Sequence, residues 1–269
     1  MDEADQGSGG SPAQSVSFCG CAFLLGYELG VIQALQELAP EILGSAAKFF
    51  GTSSGAIAAA VLACGGNQGK VDECKKSLLG SFSSGSNFLK LLEKGLYKSL
   101  KENCHQLASG RLHIGLTRLP DGQKVVISDF YSKEEVIQVK QTLFSLQFGI
   151  KVIKIPEYID GGFTSLQLFS DPETTIYVSP FAGENDICPR DCPVAFYSIK
   201  VLDCSFQISA ENLCRISYGI FPHLCLNTRK IYEQGYRDTV FYLQMNSKCC
   251  TANELCSFPL ALTLRRQAQ

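Results

Sequence analysis

The stretch Ala46-Ala47-Lys48-Phe49-Phe50-Gly51-Thr52-Ser53-Ser54-Gly55-Ala56-Ile57-Ala58-Ala59-Ala60-Val61-Leu62 decides the fold. Its centre, Gly51 to Gly55, has the GxSxG form of a nucleophile elbow, in which a serine stands on a sharp turn between a strand and a helix. The setting that form requires is present: a short apolar run leads in, and alanines with other good helix formers lead out. Glycine at 51 and 55 lets the backbone turn tightly and the next helix pack close, so the Ser53 hydroxyl is expected to project from the turn. GxSxG recurs by chance, and it is the surrounding strand-turn-helix pattern that marks Ser53 as a candidate nucleophile.

Working outward, Val16 to Cys19 reads as a buried strand running into Gly20-Cys21-Ala22-Phe23, and Tyr27 to Leu38 carries Leu29, Ile32, Leu35 and Leu38 at helical spacing. Two successive strand-turn-helix units imply parallel strands with their turns at one sheet edge, where open α/β sheets hold their sites. Ser77 to Leu107 is mostly helical in pattern and is expected to cover the sheet or the mouth of the site. Arg111 to Arg118, the turn Asp121-Gly122, and Lys124 to Ser128 form a hairpin, and Ser132 with Glu135 has the spacing of a capping box that starts a helix near Lys133. Alternating Leu146, Phe148, Ile150 and Val152 predict a strand, and Tyr158-Ile159 enters Asp160-Gly161-Gly162. Thr175 to Val178 is a further strand, Phe181 to Pro193 a long loop, and Leu202 to Phe221 and Lys230 to Leu243 surface helices. Residues 1–14, acidic and Gly/Ser-rich, are expected to be disordered, and residues 246–269 to form an irregular tail.

Composition excludes several classes of function. With 269 residues, 45% hydrophobic, and a net charge of -2 without any basic run, the chain reads as a globular protein for which nucleic acid is not the partner. Thirteen cysteines, an odd number in a chain of this size with no secretory start, are expected to be free thiols. Cys188 and Cys192 lack a matching second pair, and Cys249 and Cys250 are adjacent, so no metal site is expected. No apolar run approaches the ~20 residues of a spanning helix, so membrane contact would be peripheral.

A serine hydroxyl is a weak nucleophile and needs a base and oxyanion donors. Ser53, Asp160 and His223 satisfy the Ser-acid-His order of an α/β-hydrolase. Each of the three histidines, His105, His113 and His223, also has a plain reading as a packed or solvated side chain. Asp160 stands where a strand ends in a glycine turn, a position from which it can reach the serine or act as an ordinary turn aspartate.

Ser17-Phe18-Cys19-Gly20-Cys21-Ala22-Phe23-Leu24, Gly51 to Gly55, and Asp160-Gly161-Gly162 together resemble the three blocks of the patatin-like phospholipase family. Gly110-Arg111-Leu112-His113, Thr117-Arg118-Leu119, Asp121-Gly122, Ser132-Lys133-Glu134-Glu135, and Asp186-Ile187-Cys188-Pro189-Arg190-Asp191-Cys192-Pro193 are similar to its animal branch containing adipose triglyceride lipase and adiponutrin. The resemblance covers roughly Ser15 to Leu243. It implies a patatin-like three-layer α/β fold, a mostly parallel central sheet flanked by helices, forming a domain over residues 15–245. It further implies a Ser53-Asp160 dyad without a catalytic histidine, an oxyanion hole from backbone N–H groups around Gly20, Cys21 and Ala22, the elbow glycines Gly51 and Gly55, and the Asp-Gly-Gly glycines Gly161 and Gly162. The implied reaction attacks a long-chain lipid ester through an acyl-enzyme, with no metal or organic cofactor. The implied address is cytoplasmic, peripheral to lipid droplets or intracellular membranes.

The chain departs from that pattern at Ala22, where the family has glycine, at Leu25, and at Ser54, where alanine is more usual. The segment between Ile137 and Tyr158 also differs, and Phe163 to Leu168 lacks an expected proline. The Ser54 change is small and tolerable, while Ala22 and the altered middle segment favour an alternative, a catalytically impaired relative that serves as a lipid-surface or partner-binding module.

Overall fold

Ser15–Phe18 (β1) is buried at every position, as a strand must be when helices cover both faces of its sheet. The computed structural model describes residues 14–65, 88–142, 158–171, 173–191, 197–221 and 227–246. The expected disordered start up to residue 13, the expected strand from Leu146 to Val152, the tail beyond residue 246, and Cys192, His223, Cys249 and Cys250 lie outside the described residues.

From β1 the chain passes through a 3-10 turn, Ala22–Leu24, into α1 (Leu25–Leu38) and then α2 (Pro40–Ser45), which starts with proline where the missing N–H costs nothing. Next come β2 (Lys48–Thr52) and α3 (Ser54–Ala63), then α4 (Phe88–Ser99), α5 (Cys104–Ala108), β3 (Leu112–Arg118) and β4 (Lys124–Ile127). α6 (Lys133–Thr142) starts as the capping box predicts, with the Glu135 N–H donating to Ser132 Oγ at 3.2 Å. β5 (Tyr158–Asp160), β6 (Thr175–Val178), β7 (Ser198–Val201), β8 (Cys204–Gln207), α7 (Ala210–Ile220) and α8 (Thr228–Asn246) follow.

The central sheet runs β4-β3-β2-β1-β6, with β5 also paired to β3. Neighbours β3, β2, β1 and β6 are mutually parallel, while β4 and β5 run antiparallel to β3. Helices flank this mostly parallel sheet, and Phe18, Tyr27, Leu29, Phe49, Ile57 and Leu112 are among the largest fully buried side chains. α3 is buried at all ten positions, which explains why its apolar run shows no helical stripe.

The expected helix from Leu202 is corrected to a hairpin followed by a shorter helix. Leu202 and Asp203 both have positive φ, 48° and 62°, the mirror-image turn that a two-residue β-hairpin favours. Val201, Cys204 and Phe206 therefore belong to strands, and α7 begins only after Ser209, whose Oγ accepts the Asn212 N–H at 3.0 Å.

α1 and α8 pack closely because each presents a glycine to the other. A Cβ at Gly30 would overlap the Tyr232 carbonyl, and one at Gly235 would overlap the Tyr27 carbonyl. Tyr27 donates to Asp238 Oδ2 at 2.7 Å and Tyr236 to Glu37 Oε2 at 2.8 Å, so the same contact is pinned by two hydroxyls. Gly30→Ala should force the helices apart at a cost of about 1–3 kcal/mol, lowering the thermal midpoint by roughly 3–10 °C in a calorimetric scan.

Candidate active site

Strand β3 places the two key residues. β2 pairs with its first half, ending with Thr52 opposite Gly115, whereas β5 pairs with its second half, with Asp160 opposite Leu116. β4 spans Ile114 to Thr117 on the other edge, so β2 and β5 must share the remaining edge. They run in opposite directions along it and meet at their C-terminal ends. Asp160 thus abuts Thr52, and Ser53 is the next residue.

The elbow has the form expected. Ser53 has φ 53° and ψ -127°, a conformation that an L-residue adopts only under constraint. The constraint is packing: a Cβ at Gly51 would overlap the Gly55 carbonyl, and one at Gly55 the Phe18 carbonyl. Gly161 is likewise pressed against the Gly115 carbonyl.

Ser53 Oγ donates to Asp160 Oδ2 at 2.8 Å. Asp160 Oδ1 accepts the Gly162 N–H at 2.9 Å, and its backbone carbonyl accepts Thr117 Oγ1 at 3.0 Å, so both the carboxylate and its strand are held. Ser53 and Asp160 are 5% and 3% exposed, which keeps bulk water from competing for this bond. Burial pushes the Asp160 carboxyl up from 3.8 to about 6, against the opposing pull of the Gly162 N–H and the Ser53 hydroxyl. A carboxylate so tuned is mostly ionised at neutral pH yet more basic than usual, the property wanted in a general base. Ser53 occupies the N-cap position of α3 without a side-chain capping bond, where orphan N–H groups and the helix dipole favour developing negative charge.

The histidines are placed differently. His113 turns Nδ1 toward the Arg111 carbonyl at 3.3 Å and packs on Phe50 with ring centroids 4.8 Å apart; burial lowers its pKa. His105 lies on α5 with Nδ1 buried and unpartnered. Neither bonds Ser53 or Asp160.

The expected oxyanion donors are brought beside the elbow, but two are engaged. The Gly20 N–H donates to the Leu166 carbonyl at 2.6 Å and the Cys21 N–H to Ser54 Oγ at 2.9 Å. The cause is local: Leu166 follows the Asp-Gly-Gly turn and crosses over Gly20, and Ser54 adds a hydroxyl at the start of α3. Ala22 has φ 48°, so the methyl group sits on a left-handed backbone, which is why glycine suits this position. Its N–H opens the 3-10 turn and has no partner within it.

Sequence reasoning missed the segment Leu166-Gln167-Leu168. Gln167 is fully buried and its Nε2 donates to the Ser17 carbonyl at 3.0 Å, while Ser17 Oγ donates to the Leu168 carbonyl at 2.7 Å. This polar clip fastens the segment to β1. A lone glutamine between two leucines is the only signal in the sequence, and it is indistinguishable from a surface residue.

Among the described residues no group of three or more His, Cys, Asp or Glu is placed to hold a metal ion, and the described cysteines are free thiols. Cys188 directs its thiol to the Gly183 and Asn185 carbonyls.

A serine on a strained strand-to-helix turn, here hydrogen-bonded to a buried carboxylate where β2 and β5 meet, has the form of a nucleophile elbow. No family model matches the chain. It is 39% identical over 242 residues to the human (Homo sapiens) omega-hydroxyceramide transacylase, an alignment covering 86% of this chain and 46% of that protein. It is 35% identical over 267 residues to patatin-like phospholipase domain-containing protein 2 of Mus musculus, covering 95% and 55% respectively. It is also 35% identical over 247 residues to the Mus musculus 1-acylglycerol-3-phosphate O-acyltransferase Pnpla3, covering 87% and 60%. The chain belongs to the patatin-like phospholipase domain-containing family, and its flanked, mostly parallel sheet is the patatin-like fold. It spans about half the length of the relatives it matches.

The Asp160 environment has a measurable sign. Because its folded pKa lies above the unfolded value, the folded state binds the proton more tightly between about 4 and 6, and stability falls as pH rises through that window. Asp160→Asn should remove the penalty. In paired denaturant titrations the variant should gain on the parent by about 3 kcal/mol at most between pH 4 and 7, and the gap should be flat above that.

Proposed function

We propose that the chain is a lipid acyl hydrolase or transacylase acting through a Ser53-Asp160 dyad on long-chain acyl esters. The observation that carries this reading is the 2.8 Å hydrogen bond from Ser53 Oγ to a buried carboxylate. Ser53 attacks the ester carbonyl and its proton passes to Asp160 Oδ2. The oxyanion is received by the Ala22 N–H and by the N–H of Ser54, the residue after the nucleophile. Asp160 returns the proton to the departing alcohol, leaving an acyl-enzyme. Water or a lipid hydroxyl then attacks, Asp160 takes its proton, and Ser53 is regenerated with that proton restored.

The relatives' names support acyl esters and acyl transfer as the chemistry. Phe163 and Phe169 after the dyad, and Ile199, Val201 and Leu202 on the β7-β8 hairpin, are exposed apolar side chains. The Leu202 carbonyl accepts the Leu166 N–H at 2.6 Å, tying that hairpin to the segment over the site. No helix among the described residues is long and apolar enough to cross a membrane. The exposed apolar side chains support, as part of this proposal, a peripheral position on lipid droplets or intracellular membranes. A second reading, an impaired relative that binds lipid surfaces or partners, is favoured by the engaged Gly20 and Cys21 amides and by the left-handed Ala22.

Ser53→Ala and Asp160→Asn should each lower fatty-acid release from an emulsified long-chain ester at least about 10³-fold while circular dichroism is unchanged. A fluorophosphonate should label Ser53 of the parent chain. Turnover that survives Ser53→Ala would refute the enzyme reading, and a folded parent that resists labelling would establish the second one.

A further inference from the structure

Ser54 is the first residue of α3 and fully buried, yet its hydroxyl does not cap the helix. It accepts the Cys21 N–H at 2.9 Å, and its Oγ lies 3.2 Å from Cys21 Sγ, so both contacts engage the same residue 33 positions away. The bond commits the residue 21 amide to Ser54, the residue that follows the candidate nucleophile. Of the other amides of the turn, Gly20 donates to Leu166 and the Leu24 N–H to the Cys21 carbonyl at 3.0 Å, so within the turn the proposed hole rests on the Ala22 N–H.

Glu28, one turn into α1, is a second polar neighbour of the Cys21 side chain. It is fully buried, and the polar group its carboxyl meets is the Cys21 thiol. Burial raises this carboxyl well above the usual range, and Glu28 and the Cys21 thiol act on each other, the carboxyl adding to the rise that burial causes in the thiol. The side chain of residue 21 is therefore boxed between a hydroxyl and a carboxyl.

An oxyanion forming at Ser53 and the Ser54 hydroxyl would compete for one donor. We propose that Ser54 is a positioning residue that withholds the Cys21 N–H from the oxyanion and so restrains acyl transfer. This rests on the reading of Ser53 as the nucleophile. The restraint acts on the transition state, where charge develops, and not on substrate binding, so it appears in kcat and leaves KM alone. Because the hydroxyl competes for the donor and does not remove it, the effect is smaller than the ~10²–10³ of a deleted donor.

The test uses the full chain and its Ser54→Ala, Ser54→Gly and Ser54→Thr variants, with Ser53→Ala as control. Turnover of a soluble 4-nitrophenyl ester and the rate of fluorophosphonate labelling at Ser53 are measured. Alanine and glycine should raise kcat and the labelling rate about three- to tenfold with KM within about twofold. Threonine, which keeps the hydroxyl, should show no such rise in either rate. Alanine is the better helix former, and the glycine variant carries the test if the alanine variant does not purify. A folded hydroxyl-free variant that labels at Ser53 no faster than the parent overturns the role of Ser54 and leaves the dyad standing. Absence of Ser53 labelling in every protein overturns the dyad and the proposal with it.

Discussion

The edge of β3 is the constraint on which the site depends. One edge accepts β2 in parallel over its first half and β5 antiparallel over its second, so two strands from distant parts of the chain end face to face. Ladder hydrogen bonds fix that register within a fraction of a residue spacing, and a slip of one residue would turn Asp160 to the other face of the sheet. The Ser53-Asp160 bond is thus a consequence of sheet pairing. No loop has to search for it.

Around that junction the polypeptide accepts local costs. Ser53 and Ala22 occupy left-handed backbone, and Asp160 is a nearly buried carboxylate without a cationic partner among its bonds. Each costs on the order of 1–3 kcal/mol, and each persists because the surroundings leave no alternative. The glycines at 51, 55 and 161 let backbone touch backbone there, and the Ser17-Gln167-Leu168 clip fastens the covering segment. Strain at several points is thus braced by packing and by hydrogen bonds.

The turn from Gly20 to Ala22 is drawn into several competing contacts. Its amides are drawn toward Leu166 and Ser54, while Glu28 and three thiols, Cys19, Cys21 and Cys204, lie buried behind it. Cys19 and Cys204 bring their sulfurs to 3.3 Å, so the turn and the β7-β8 hairpin share one interior. Substitutions at residues 21, 22, 28 and 54 are therefore coupled, and effects measured singly there will not add.

Strand-turn-helix order, parallel strands, the hairpin at Asp121-Gly122, the elbow serine and the aspartate were legible because each is written in local periodicity or turn chemistry. The Leu202 hairpin was not, because a two-residue turn without glycine leaves alternation that passes for a helical stripe. Gln167 and Glu28 were equally opaque: a polar letter carries no sign of its burial. What the sequence by itself determined is the pair of candidate groups and the kind of fold that could carry them. What only the tertiary structure decided is that β2 and β5 share an edge, and that the Gly20 and Cys21 amides are already bonded. Pairing partners and competing acceptors lie more than thirty residues apart, beyond the reach of any local pattern.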